Sequence, residues 1–389
     1  MKLKLVFNKY ISCFIWFKGQ AMNVKFLLIA ILFMMQCSLF SKDLHPHVKL
    51  NGYSSFEFEY EISDKGDGDK NGSFDADSID LVFNIYPVNR LRFAIDISYE
   101  HGTATEDNRG NVAMEYAFGE YTYNEYLKIR FGKMFSHFGI YNEIHTAKTS
   151  FLTFKEPKST NKISKVGGGD FLFYPRWQVG LAVTGEFDLA DKEFDYILQL
   201  SNGDQGDEGG QDTNPFESDN NTQKAFGGRF RYNILEDLRL GLSFYHDIVE
   251  EYDDDLDPKH ENPTGQHTSV FSYGFQAEYQ IRNLTFEFEY TGGFVDPSSG
   301  SSIDRYGVTL LGAYTFKDKY TPYVRLEYFD PNQDVSNDEA TIFICGLNIE
   351  VLRWFNVKVE INRTWSEDGN LELNGKNTTQ FNSSFVIGF

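Results

Sequence analysis

The chain has 389 residues, with 57 Asp and Glu against 36 Lys and Arg, a formal net charge of −21, and 16% aromatic residues. That balance speaks against nucleic-acid binding, which rests on Lys and Arg neutralising phosphates. The three cysteines, Cys13, Cys37 and Cys345, exclude a disulfide framework, and no Cys/His pair has zinc-site spacing.

The first element is a leader. Met22-Asn-Val-Lys25 is followed by the apolar stretch from Phe26 to Met35 and then by Ser38 and Ser41. A short basic region, an apolar region and small or polar residues make a secretory signal peptide. Residues 1–41 are therefore read as an N-terminal extension plus signal peptide, with Met22 as the true start and cleavage after Ser41. Residues 42–389 are read as one domain. No later stretch reaches about 18 consecutive apolar residues, so no transmembrane helix is expected.

Beyond the leader the pattern has period two. Residues 126–132 set Leu127, Ile129 and Phe131 against Lys128 and Arg130. Leu238, Leu240, Leu242 and Phe244 alternate with Arg239, Gly241 and Ser243. Leu284, Phe286, Phe288 and Tyr290 alternate with Thr285, Glu287 and Glu289. Phe355, Val357, Val359 and Ile361 alternate with Asn356, Lys358 and Glu360. Successive side chains of a strand point to opposite faces, so each segment has an apolar face and a charged one. Strand four, about 111–123, alternates poorly, which predicts a bulge near Glu120.

The connections alternate in length. Tight turns fall at Pro87–Arg90, Asn124–Glu125, Asp188–Lys192, Leu235–Asp237, Arg282–Asn283, Lys317–Tyr320 and Leu352–Trp354. Long polar connections fall at about 63–73, 102–110, 134–176, 203–223, 249–267, 296–304, 330–338 and 366–377. Short turns, long loops and an even strand count predict an all-β transmembrane antiparallel β-barrel of about 16 strands in a bacterial outer membrane. The last strand carries Phe381, Phe385, Ile387 and Phe389 on one face and ends on an aromatic. Phe381, Phe385 and Phe389 resemble the signal read by the outer-membrane barrel assembly machinery, which is an expected partner along with outer-membrane lipid and lipopolysaccharide.

The stretch Arg130-Phe131-Gly132-Lys133-Met134-Phe135-Ser136-His137-Phe138-Gly139 resembles the R-x-G-K-F-x-x-P-F-G stretch of phosphate-selective porin O/P-type barrels. Phe194-Asp195-Tyr196 to Ser201-Asn202-Gly203-Asp204, and Lys224 to Arg229, are similar to the strand–loop–strand that follows in that family. The likeness covers roughly the first two thirds of the barrel. It departs at His137, where the family has Pro, and the family's anion-binding arginine ladder has no residue-by-residue match. The resemblance implies a porin, a homotrimer, and a constriction loop after strand five that folds into the barrel.

A lumen of sixteen strands conducts water unless a loop narrows it. Segment 134–176 has Phe135, Phe138, Tyr141, Phe151 and Phe154 to anchor it. Its six bases (Lys148, Lys155, Lys158, Lys162, Lys165 and Arg176) outnumber the acids Glu143, Glu156 and Asp170. Expected pore-lining bases are Arg92, Lys128, Arg130, Arg229, Arg231, Arg239 and Arg325; expected pore-lining acids are Glu57, Glu59, Asp96, Glu287 and Glu289. Bases gather on strands three, five, eight and nine and acids on strands one, ten and eleven, which would set a transverse field across a narrow pore. Passive diffusion of small hydrophilic solutes follows, with a mild preference for anions such as phosphate or carboxylates. The other reading is a surface receptor or adhesin acting through acidic outer loops such as Asp253, Asp254, Asp255 and Asp257. An enzyme is not expected. None of the eight histidines stands in a nucleophile setting, and His246 and Asp247, as strand neighbours, point to opposite faces. No cofactor or metal is expected, and Gly167-Gly168-Gly169 is not followed by a phosphate-binding Lys-Ser/Thr.

Overall fold

The computed structural model describes residues 46–65, 71–100, 111–144, 147–161, 173–203, 222–252, 263–367 and 375–389. The leader, Lys162, Lys165 and the acidic run 253–257 lie outside them. Among the described residues the chain forms sixteen antiparallel strands. These are β1 (His47–Ser63), β2 (Ser73–Val88), β3 (Leu91–Glu100), β4 (Asn111–Asn124), β5 (Leu127–Phe135), β6 (Trp177–Leu189), β7 (Lys192–Ser201) and β8 (Ala225–Leu235). They continue with β9 (Leu238–Tyr252), β10 (Pro263–Ile281), β11 (Leu284–Asp296), β12 (Ile303–Tyr314), β13 (Tyr320–Asp330), β14 (Ala340–Leu352), β15 (Phe355–Ser366) and β16 (Thr378–Gly388). Each pairs with its neighbours in chain order, and β1 closes on β16 from Tyr53↔Gly388 to Ser63↔Thr378. Closure leaves no strand edge. In hydrocarbon, where no water can satisfy a backbone group, that is the condition for crossing with strands.

The apolar faces read from the sequence point outward: Phe131, Leu242, Phe286, Ile361 and Phe385 are all exposed. On the side of the long loops Tyr273, Tyr290, Tyr306 and Tyr328 form a row across four strands, with centroids 6.0, 6.2 and 5.7 Å apart. Amphipathic rings favour the membrane–water boundary, as in the aromatic girdles of such barrels. The short turns lie at the opposite end. Ala190 and Asp191 have φ of 52° and 60°, as do Lys317 and Asp318 at 55° and 50°. Two residues in the left-handed region match the twist of the strands they join.

The bulge in β4 lies elsewhere than expected. Pairing runs from Asp96↔Tyr116 to Ile97↔Met114, so Glu115 is the extra residue. Trp177 Nε1 donates to Glu115 Oε2 at 3.1 Å. Glu120 itself sits in regular register between Arg92 and Arg130. A further correction concerns side-chain faces. The inner faces of β12–β14 are not charged throughout but carry buried Leu311, Ala313, Ile342 and Ile344. They are apolar because loop aromatics pack on them from inside.

Candidate functional site

The connection between β5 and β6 leaves the long-loop end of the barrel and enters the lumen. Its five predicted anchors, Phe135, Phe138, Tyr141, Phe151 and Phe154, are all buried. Phe138 stacks on Tyr174 at 4.2 Å, and both join Phe173 against the apolar inner faces of β12–β14. Gly307 on β12 has no side chain, and this lets the Ser159 carbonyl come against the wall. Polar contacts carry the loop around the wall. His137 N donates to Gln199 Oε1 at 2.9 Å, Gly139 N to Ser243 Oγ at 3.1 Å, Tyr141 OH to Glu287, and Asn348 Nδ2 to the Leu152 carbonyl at 3.3 Å. With Glu57 on β1 and Asp77 on β2, the loop touches most of the circumference.

The expected lumen residues divide into two groups. The first is buried and holds the loop. Lys148, at 7% exposure, pairs with Glu57, at 3%, and lies 2.6 Å from Asp77 Oδ2. Burial alone would lower the Lys148 pKa, but the Asp77 and Glu57 carboxylates outweigh it and hold the ammonium above the ordinary lysine range. Arg229, on β8, donates to the Gly139 carbonyl at 2.8 Å and pairs with Glu143, whose other partner is His137 Nε2 at 3.0 Å. Burial pushes Glu143 up, yet Arg229 and His137 hold it well below the usual carboxylate range. Arg325 donates to loop oxygens and pairs with Glu327 at 2.8 Å. Glu289 is buried against Gly139, where a side chain would collide with its carboxylate. Asp96 is buried as well, though its partner is the Tyr53 hydroxyl of β1 at 3.1 Å and not the loop.

The second group remains partly accessible. Side-chain exposure is 26% for Arg92, 26% for Lys128, 20% for Arg130, 27% for Arg231 and 30% for Arg239. Each has an acid beside it. Arg92 and Arg130 converge on Glu120 at 3.1 and 2.6 Å and flank the Phe118 ring at 5.3 and 5.2 Å. Lys128 pairs with Glu186 at 3.1 Å, Arg231 with Asp195 at 2.9 Å, and Arg239 with Glu193 at 3.4 Å. From the loop, Lys155 meets Glu59 at 2.6 Å, while Lys158 is exposed and its backbone N–H donates to Glu327 at 2.7 Å. A cavity of about 290 Å³ opens beside Lys155 and Lys158, between the loop and β13–β16 with β1.

The acids Glu120, Glu186, Glu193, Asp195, Asp77 and Glu143 were not read from the sequence as partners of these bases. Glu193 and Asp195 flank Phe194 and show the same alternation as the strands that were read. Glu120 pairs with Arg92 and Arg130 through register, which a single strand does not carry. The bases expected to face acids across the lumen thus pair with acids on neighbouring strands, whereas Glu57, Glu59 and Glu287 meet residues of the loop. Phe381 and Phe385 lie exposed on the outer face of β16, and Phe389 pairs with Gly52, its N–H and carbonyl at 2.8 and 2.9 Å.

A family described as "Putative beta-barrel porin-2, OmpL-like" matches residues 174–389. No curated protein matches the chain. Among solved structures, the anion-selective porin from Comamonas acidovorans is 11% identical with a TM-score of 0.62, covering 88% of this chain and 100% of its own. OmpT of Vibrio cholerae is 13% identical with a TM-score of 0.59, over 88% and 98%. A Salmonella typhi OmpF complex with daunomycin is 13% identical with a TM-score of 0.58, over 88% and 97%. At these identities the likeness is one of fold.

Proposed function

We propose a permeation mechanism from the premise that this chain belongs to the β-barrel porin-2, OmpL-like, family. The protein is an outer-membrane porin, a water-filled channel for passive diffusion of small hydrophilic solutes. Our reading adds a mild preference for small anions, of the carboxylate or phosphate class. One observation carries it: two accessible guanidiniums, Arg92 and Arg130, share the single carboxylate of Glu120. Lys128, Arg231 and Arg239 are each matched by an acid, so this cluster is the place where accessible bases outnumber the acid they share.

Short-range charge decides here. The outer mouths are acidic, but their field decays within about 8–10 Å at ordinary salt. Solutes beside Arg92 and Arg130 feel them across less water and at a lower effective dielectric. A phosphate-selective site of the porin O/P kind is the finer form of this reading, and the Arg92–Glu120–Arg130 cluster is its candidate place. We also propose a homotrimer, as OmpT of Vibrio cholerae has a trimer form. Assembly through the barrel machinery, reading Phe381, Phe385 and Phe389, belongs to the same proposal. A planar-bilayer recording across a salt gradient tests the preference. Reversal on the anion side supports it, and strong cation preference refutes it.

A further inference from the structure

Strands β13 and β15 carry the same short pattern on their inner faces. Arg325-Leu326-Glu327 and Val357-Lys358-Val359-Glu360 each place a base and an acid two residues apart, hence on one face. The intervening β14 sets Ile344 and Ile342 beside Arg325 and Glu327, and Asn348 and Gly346 beside Lys358 and Glu360. Both bases and both acids are buried.

Each base donates to loop oxygens and each acid accepts from loop amides. Lys358 Nζ lies 2.5, 2.8 and 2.9 Å from the carbonyls of Lys148, Phe151 and Thr153, so all three ammonium protons are used. It also sits 4.5 Å from the Phe151 ring centroid. Glu360 accepts from Phe154 N at 3.0 Å and from Tyr323 OH at 2.9 Å. Arg325 Nη1 donates to Thr153 Oγ1 at 2.7 Å and to the Lys155 carbonyl at 2.8 Å. Glu327 Oε2 accepts from Lys158 N at 2.7 Å and from Ser159 N at 3.0 Å. Every loop partner but the Thr153 hydroxyl is a main-chain group.

We propose that Arg325, Glu327, Lys358 and Glu360 form a two-strand latch whose role is to position the main chain of residues 148–159 and thereby set the open cross-section of the channel. The inference rests on the porin reading for its consequence, though not for its geometry. Donors and acceptors alternate along the loop in the order the two strands offer them: carbonyls 148, 151 and 153 to Lys358, amide 154 to Glu360, carbonyl 155 to Arg325, amides 158 and 159 to Glu327. Up to the short helical turn that begins at Lys158, the loop runs through bends with few internal hydrogen bonds, and its buried main-chain groups need such partners. Lys358 also has no acid at bonding distance in these contacts. Its burial is compensated by the loop, so the two require each other.

The test compares Lys358→Met in two chains. One is the full chain. In the other, residues 140–172 are replaced by a short glycine–serine linker, which β5 and β6 tolerate because Phe135 and Trp177 pair directly. In the full chain K358M should speed tryptic cleavage after Lys155 and Lys158. It should also raise single-channel conductance toward that of the linker chain. In the linker chain K358M should leave conductance unchanged and should not lower the temperature at which the folded band is lost on SDS gels, since there the loop that buries the lysine is gone and its ammonium faces lumen water. Failure of K358M to assemble in the full chain but not in the linker chain also supports the latch. Unchanged cleavage and conductance in the full chain overturn it, as does an equal defect in both chains, which would mark Lys358 as a residue of the barrel itself. A parent that conducts nothing refutes the porin reading, and the cleavage comparison still decides the latch.

Discussion

Lys148→Met is the most informative single substitution for the loop. The ammonium is buried between Glu57 and Asp77, and methionine keeps the volume while removing the charge. Ser55 Oγ still serves Asp77 at 2.6 Å, but the next loop cation, Lys155, is bonded to Glu59 and does not take the place of the lost ammonium. Removing one partner of a buried ion pair costs about 3–5 kcal/mol, most of it from the charge left behind. Water in the lumen relieves part of this, so the lower end, about 3 kcal/mol, is expected. At about 1.4 kcal/mol per tenfold, the fraction of loop detached from β1 and β2 should rise roughly a hundredfold. The assay is tryptic cleavage at Lys155 and Lys158 in detergent, read beside conductance noise in a bilayer. The triple variant with Glu57→Gln and Asp77→Asn removes the stranded charges and should recover much of the protection. Parent-like cleavage and conductance in Lys148→Met would refute the reasoning. A triple variant worse than the single one would refute the charge argument specifically.

Glu120→Gln should move the reversal potential toward anions and Arg130→Gln toward cations, each by about twofold in permeability ratio, since one charge felt through lumen water is worth about 0.5 kcal/mol. Matching shifts from Lys128→Gln and Arg130→Gln would contradict the excess-charge argument, because Lys128 has its own acid in Glu186. The Glu143 tether has a definite pH sign. Its carboxyl is held below the usual range by Arg229 and His137 against the effect of burial, so its contribution is fully present above about pH 5 and fades only in stronger acid. Tryptic protection should therefore be flat from mildly acidic to neutral pH, and a loss near neutrality would show that another group controls the loop. Deleting Phe389 should lower the yield of heat-modifiable protein, as should Gly52→Leu, whose side chain would meet the Phe389 ring. A mass measurement in detergent that finds monomer alone would count against the trimer.

The sequence alone determined the barrel. Lipid on one side and water on the other impose period-two alternation on most of the strands, and that is a local signal. The seven tight turns were legible for the same reason, since the chain reverses there within a few residues. So was the entry of the loop after β5, on the strength of the porin O/P resemblance and its five aromatics. What no strand shows by itself is which residues meet across it. Glu120 reads as one more polar position until the register sets it between Arg92 and Arg130. The Glu115 bulge, five residues from where poor alternation suggested, depends likewise on pairing with β3. The loop bases looked free to act on solutes, yet Lys148 is buried against β1 and β2, and Lys358, seen only as a polar strand position, holds three loop carbonyls. Face and period are properties of a segment. Ion pairing and loop docking join residues up to 210 positions apart, and only closure of the barrel brings them within bonding distance.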